Sequence, residues 1–147
     1  MQRLRFPLQV VRAVREAVGP DFPIFYRLGA DDRMPGGTTP EDSRQAASLL
    51  VNAGADAIDL SGGLCGYLTY GPEGFFLYLA EAIKPVVKVP VMVTGDIKRA
   101  AFADRIIRQG LANLVGIGRA LLKDPEWAQK AWEELNQASN GEPELPR

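Results

Sequence analysis

Four short apolar runs, each closing at a glycine and each followed by a helical pattern, constrain this chain more than any other feature. They are FPIFYRLG (Phe22–Gly29), ADAIDLSGG (Ala55–Gly63), VPVMVTGD (Val89–Asp96) and the stretch Asn113–Ile117, which runs into Gly118. Runs that are apolar on both faces and separated by helices predict a parallel sheet rather than a half-solvated antiparallel one.

The helical stretches carry their own punctuation. Phe6 to Gly19 has Pro7 in its first turn and Gly19 as C-cap. Thr39 is placed to cap a helix opened by Pro40-Glu41-Asp42, whose apolar face holds Ala46, Leu49 and Leu50 before Ala53-Gly54 ends it. Further helices are expected around Phe75–Ile83, over Arg99–Gln109 with Gly110 closing it, and over Pro125–Gln137. The last carries Trp127, Ala131, Trp132 and Leu135 at near-helical spacing, expected to pack on the sheet.

There is also a faint repeat. GADAIDLSGG at Gly54 recurs as GLANLVGIGR at Gly110, and FPIFYRLG recurs as VPVMVTGD. Repeated strand–helix pairs suggest quarters of a (β/α)₈ barrel, which needs eight strands and roughly 250 residues. Four units in 147 residues make half of one. The expected fold is α/β: half of a (β/α)₈ TIM barrel, four parallel βα units preceded by one helix. It should span residues 1–137, with a flexible tail over 138–147.

Composition narrows the chemistry. Seventeen basic and eighteen acidic residues leave a net charge of -1, with no clustered basic footprint for nucleic acid. No apolar run approaches a membrane span and no cleavable leader is evident, so a reducing cytoplasm is the expected location. The single cysteine, Cys65, excludes an internal disulfide and cysteine-cluster metal sites. The chain has no histidine, which removes imidazole ligands, Ser-His and Cys-His nucleophile pairs and histidine acids. No metal ligand set and no catalytic residue is assigned.

The most purposeful stretch is LVGIGRALLKDPEW, Leu114–Trp127, where an apolar run breaks at Gly118-Arg119 directly into a helical pattern. A bare glycine, helix N–H groups and a fixed cation suit an anionic phosphate. A dinucleotide fingerprint is a poor reading, because GIGRAL lacks the third glycine. Arg27 lies in an otherwise apolar strand and needs either a site or a partner, with Asp59 and Asp32 as the candidates. Asp59, between Ile58 and Leu60, is placed to face the barrel interior. The loop DDRMPGGTTPED would sit at the mouth of the barrel, and the Gly66–Gly71 segment offers tyrosines beside it.

RLRFPLQVVRAVREAVGPDFPIFYRLG, AGADAIDLSGG, VPVMVTGDI and LVGIGRALLKDPEWAQKA occur in the order of the C-terminal half of the Old Yellow Enzyme family, and together the chain resembles that half from Arg3 to about Trp132. The family comprises FMN-dependent NAD(P)H oxidoreductases. The resemblance implies strands five to eight of its barrel and three groups of flavin contacts. Arg27 matches the arginine at the N1/O2 edge of the flavin ring, where a cation lowers the cost of accepting hydride. Gly95 matches the glycine at which the phosphate approaches after strand seven, and Asp96 follows it where many members carry a small or neutral residue. Gly118 and Arg119 match the strand-eight pair that completes the phosphate cradle.

The family's substrate-holding histidine/asparagine pair and its proton-donating tyrosine belong to the other half. The implied function is therefore the FMN- and phosphate-binding C-terminal half of an NAD(P)H:flavin oxidoreductase, catalytically incomplete alone. NAD(P)H would engage only with FMN bound. A non-catalytic self-associating scaffold and one half of a split flavoenzyme are the alternatives. Open sheet edges and a bare apolar face predict a partner, either a second copy or an N-terminal half-barrel.

Overall fold

A computed structural model describes residues 2–65 and 71–140. In chain order the elements are α1 (Arg5–Val18), β1 (Phe25–Gly29), α2 (Pro40–Asn52), β2 (Ala57–Ser61), α3 (Leu77–Ile83), β3 (Val91–Val93), α4 (Ala100–Arg108), β4 (Leu114–Val115), α5 (Arg119–Lys123) and α6 (Trp127–Asn140). The strands form one parallel sheet in sequence order, with Phe25 opposite Ala57, Ile58 opposite Val91 and Met92 opposite Leu114.

Each strand is shorter than its apolar run. Pro23 and Pro90, which have no N–H to give a ladder, lie just outside β1 and β3. The fourth run, expected over Asn113–Ile117, keeps only two strand residues. Gly116 N still donates to Val93 O at 2.8 Å, and the chain then leaves the sheet. A side chain at Gly116 would collide with the Thr94 methyl group, so close passage here requires glycine.

The predicted caps are present. Thr39 and Asp42 form a reciprocal capping box on α2, with Asp42 N donating to Thr39 Oγ1 at 3.2 Å. Gly19 ends α1 at φ 80° and returns its N–H to Arg15 O at 3.0 Å. The core lies between the sheet and α2, α3 and α4. It is built on Leu28, Ile58, Leu60, Val91 and Val93 from the strands, with Leu50, Leu79, Ile83 and Ile106 from the helices. β2 is central: Ala57, Ile58, Asp59 and Leu60 are all buried.

The last helix departs from expectation. It packs on α4 and α5 rather than on the sheet, and its buried residue is Ala131. Trp132 is 70% exposed. Trp127 spends its polar edge on the neighbouring loop, donating from Nε1 to Lys98 O at 2.6 Å. The helix runs to Asn140, three residues beyond the expected end; the rest of the predicted tail, 141–147, lies outside the described residues.

Candidate functional site

Parallel strands ending at one edge gather their following loops, and that edge holds a cleft of about 560 Å³. Its lining includes Arg27 from β1, Asp59 from β2, Gly95 and Asp96 after β3, and Gly118 and Arg119 after β4. All five residues singled out as flavin contacts therefore meet in one place, although Arg27 and Arg119 are 92 positions apart in sequence.

At one end, Arg27 Nη1 donates to Asp59 Oδ2 at 2.9 Å. Of the two partners expected for Arg27, Asp59 is the one it takes. The guanidinium is otherwise largely exposed, whereas Asp59 is buried and its Oδ1 has no hydrogen-bond partner among the described residues. A buried carboxylate oxygen without a donor is uncommon and belongs to an incomplete network.

At the other end, Asp96 bridges two cations. Its Oδ1 lies 3.1 Å from Arg119 Nη2 and its Oδ2 lies 2.6 Å from Lys98 Nζ. Asp96 holds this position with φ 58°, a left-handed conformation that Asp tolerates better than most residues. Gly95, at φ 126°, comes before it. A Cβ there would stand 3.0 Å from Phe76 N and 3.1 Å from Phe75 N, so glycine is required both by conformation and by close approach. Gly118 differs, since a Cβ there would meet nothing within 4 Å. No packing demand explains its bareness, and a side chain would intrude on the cleft it lines.

The helix dipole contributes less than the sequence suggests. α5 is only five residues long, little more than one turn, so the fixed charges of Arg119 and Lys98 dominate.

Two carboxylates missed as site residues hold this edge in shape. Glu73 Oε1 accepts from the backbone N–H groups of Lys98 and Arg99 at 2.7 and 2.8 Å, and its Oε2 accepts from Arg99 Nε at 2.7 Å. It thereby caps α4 from outside and fixes the loop that carries Gly95 and Asp96. Burial pushes its pKa up, but those donors outweigh it and leave the group below its ordinary value. Asp32 likewise accepts from Leu64 N at 2.9 Å and Thr38 N at 2.7 Å. These two bonds hold its carboxyl below the usual range. Asp32 was weighed as a partner for Arg27; its work is to pin the β1–α2 loop to the segment after β2. Little near either residue in sequence marks these roles: apart from Thr38, six positions from Asp32, the partners lie 25 to 32 positions away.

The tyrosines expected to flank the site at 67 and 70 lie outside the described residues, as does the side chain of Cys65. Among the described residues no group of three His, Cys, Asp or Glu side chains is placed to hold a metal, and no helix is long and apolar enough to cross a membrane.

A four-stranded parallel β/α sheet with a cleft at the edge where its strands end defines a half-barrel of the TIM class. Residues 1–138 match the model of the NADH:flavin oxidoreductase / NADH oxidase family, and the chain belongs to that family. It is 41% identical over 138 residues to an NADH oxidase of Thermoanaerobacter brockii, covering 90% of this chain and 21% of that protein. It is 34% identical to an NADPH dehydrogenase of Geobacillus sp. (strain WCH70), covering 90% of this chain and 39% of that one. Histamine dehydrogenase from Rhizobium sp. 4-9 superposes with TM-score 0.76 at 27% identity, over 90% of this chain and 20% of its own. A 2-naphthoyl-CoA reductase superposes at TM-score 0.80 and 24% identity, which speaks to the fold alone. The chain thus spans between a fifth and two-fifths of the length of these relatives.

Proposed function

We propose that this chain is the FMN- and phosphate-binding C-terminal half of an Old Yellow Enzyme-like NAD(P)H:flavin oxidoreductase. The observation that carries the reading is the β3–β4 end of the cleft, where Arg119, ion-paired with Asp96, lines the wall beside a glycine that nothing in the packing requires. The residues fit the group. A phosphate would take Arg119 as a forked cation, approaching along the bare backbone of Gly95 and Gly118, while Lys98 engages Asp96. Phe75 and Phe76 wall that end and keep water from its flank. Asp96 stands where it must share Arg119 with an incoming anion. Arg27, mostly exposed but held by Asp59, supplies the cation for the ring's pyrimidine edge.

When bound, FMN supplies hydride transfer between NAD(P)H and an acceptor. The chain's own contribution is binding, orientation and charge. With no histidine anywhere in its 147 residues, it has none of the imidazole groups with which the family grips its acceptor. Alone it is a binding half and not a complete ene-reductase.

The test is a fluorescence titration of FMN against the purified chain and Arg119→Ala. The expected result is saturable binding that the variant weakens at least about tenfold, since a hydrogen bond to a charged group contributes about 1.5–3 kcal/mol. Absence of binding up to millimolar FMN would leave the cleft as inherited architecture and the chain as a scaffold.

A further inference from the structure

Each end of the cleft pairs an arginine with a carboxylate, and the two carboxylates are held differently. Among the described residues, Asp59 meets Arg27 on Oδ2 and no donor on Oδ1. Asp96 is taken from both sides: Lys98 Nζ stands 2.6 Å from Oδ2, and Arg119 Nη2 stands 3.1 Å from Oδ1. Arg119 lines the cleft, whereas Lys98 is not among its lining residues. The backbone of Lys98 is nevertheless pinned on both sides. Its N–H donates to Glu73 Oε1 at 2.7 Å and its carbonyl accepts from Trp127 Nε1 at 2.6 Å, while buried Ile97 anchors the chain just before it. Lys98 Nζ therefore reaches Asp96 from a fixed base, across a turn that begins at the left-handed Asp96.

We infer that Lys98 is a positioning residue: it draws the Asp96 carboxylate off Arg119 and so sets how much of that guanidinium is free for an anion in the cleft. That the anion is a phosphate rests on the function proposed above. A carboxylate between two cations divides its attraction, and the nearer cation takes the larger share. Here the nearer one is Lys98. The Asp96 side chain is only 16% exposed, while both cations are about half exposed, so solvent replaces a lost partner poorly at the carboxylate. Without Lys98, Asp96 would turn wholly to Arg119, as Asp59 does to Arg27, and an entering anion would have to leave a carboxylate unpaired. With Lys98 in place, Asp96 yields Arg119 and keeps a charge-assisted partner of its own. Arg119 then exchanges one anion for another, and the compact lysine ammonium holds what is displaced.

The experiment follows the Arg119 guanidinium N–H signals by nuclear magnetic resonance, identified by their loss in Arg119→Ala. Inorganic phosphate is titrated at about 0.15 M ionic strength, where long-range attraction is largely screened. Before phosphate is added, Lys98→Met should slow solvent exchange of these protons about twofold or more, because Asp96 then grips Arg119 alone. Phosphate affinity should fall about threefold in the same variant. In an Asp96→Asn background, Lys98→Met should alter that affinity by less than about 1.5-fold, since no carboxylate is left to draw away. Unchanged Arg119 exchange in Lys98→Met overturns the inference. So does an equal loss of phosphate affinity in both backgrounds, which would make Lys98 a plain attractive charge. If Arg119 exchange responds as expected while the wild type binds neither phosphate nor FMN, the coupling stands and only the proposed function fails.

Discussion

The cleft has an arginine at each end, and the two are restrained differently. Arg27 faces a single buried carboxylate, Asp59, so that end is close to neutral. Arg119 shares Asp96 with Lys98, so two cations meet one carboxylate and a positive charge is left over. Asp59 lies in the middle of the sheet between buried Ile58 and Leu60, whereas Asp96 sits on a loop in a left-handed conformation. The lesson is that an anion is drawn to the β3–β4 end, while the β1–β2 end offers a cation already balanced and oriented. Phosphate at one end and a ring edge at the other is the division of labour under the function proposed above.

That comparison can be broken most severely at Gly95. Gly95→Val would force a β-branched side chain into φ 126° against the Phe75 and Phe76 backbone. Strain of this kind costs about 1–3 kcal/mol, and denaturant melts should show it together with complete loss of anion binding. Next comes Glu73→Ala, which strips three donors of their acceptor at the start of α4. A loss of about 1–3 kcal/mol is expected from denaturation curves, with weaker phosphate binding because the loop is released. The lowered pKa of Glu73 means its contribution is fully present above its unfolded value and is lost as pH falls through the folded value. Acid titration of the wild type should therefore show a stability loss below about pH 4 that Glu73→Ala lacks.

Smaller changes sharpen the contrast. Asp96→Asn keeps a residue that accepts the left-handed conformation and frees Arg119, so phosphate affinity measured by calorimetry should rise about threefold, within the 0.2–1 kcal/mol of an exposed pair. Unchanged affinity would mean that Asp96 does not compete with the anion. Arg27→Ala and Asp59→Asn should both leave inorganic phosphate affinity unaltered, since they act at the other end. A drop in either would show that the two ends are not separate.

Much of this was legible in the sequence because it is local. Apolar runs, the Thr39 cap, Gly19 and Gly110 all report on neighbours within a few positions. The gathering of Arg27, Gly95, Asp96, Gly118 and Arg119 follows from the resemblance to the family, whose motif order carries topology. What escaped was long-range and polar. Glu73 reaches α4 across 25 positions, and Asp32 reaches Leu64 across 32. Trp132 was misread because helical spacing shows that a helix has an apolar face, but not which element covers it. The β4 run looked longer than it is because the apolar pattern does not show where a glycine pair lets the chain leave the ladder.

The most direct test of the central claim compares FMN with riboflavin, the same ring without its phosphate, in parallel titrations of the wild type and Arg119→Ala. FMN should bind the wild type at least about tenfold more tightly than riboflavin, and the difference should largely vanish in the variant. Equal affinity of the wild type for the two flavins would contradict the account, because the Arg119 end of the cleft would then contribute nothing to holding the phosphate.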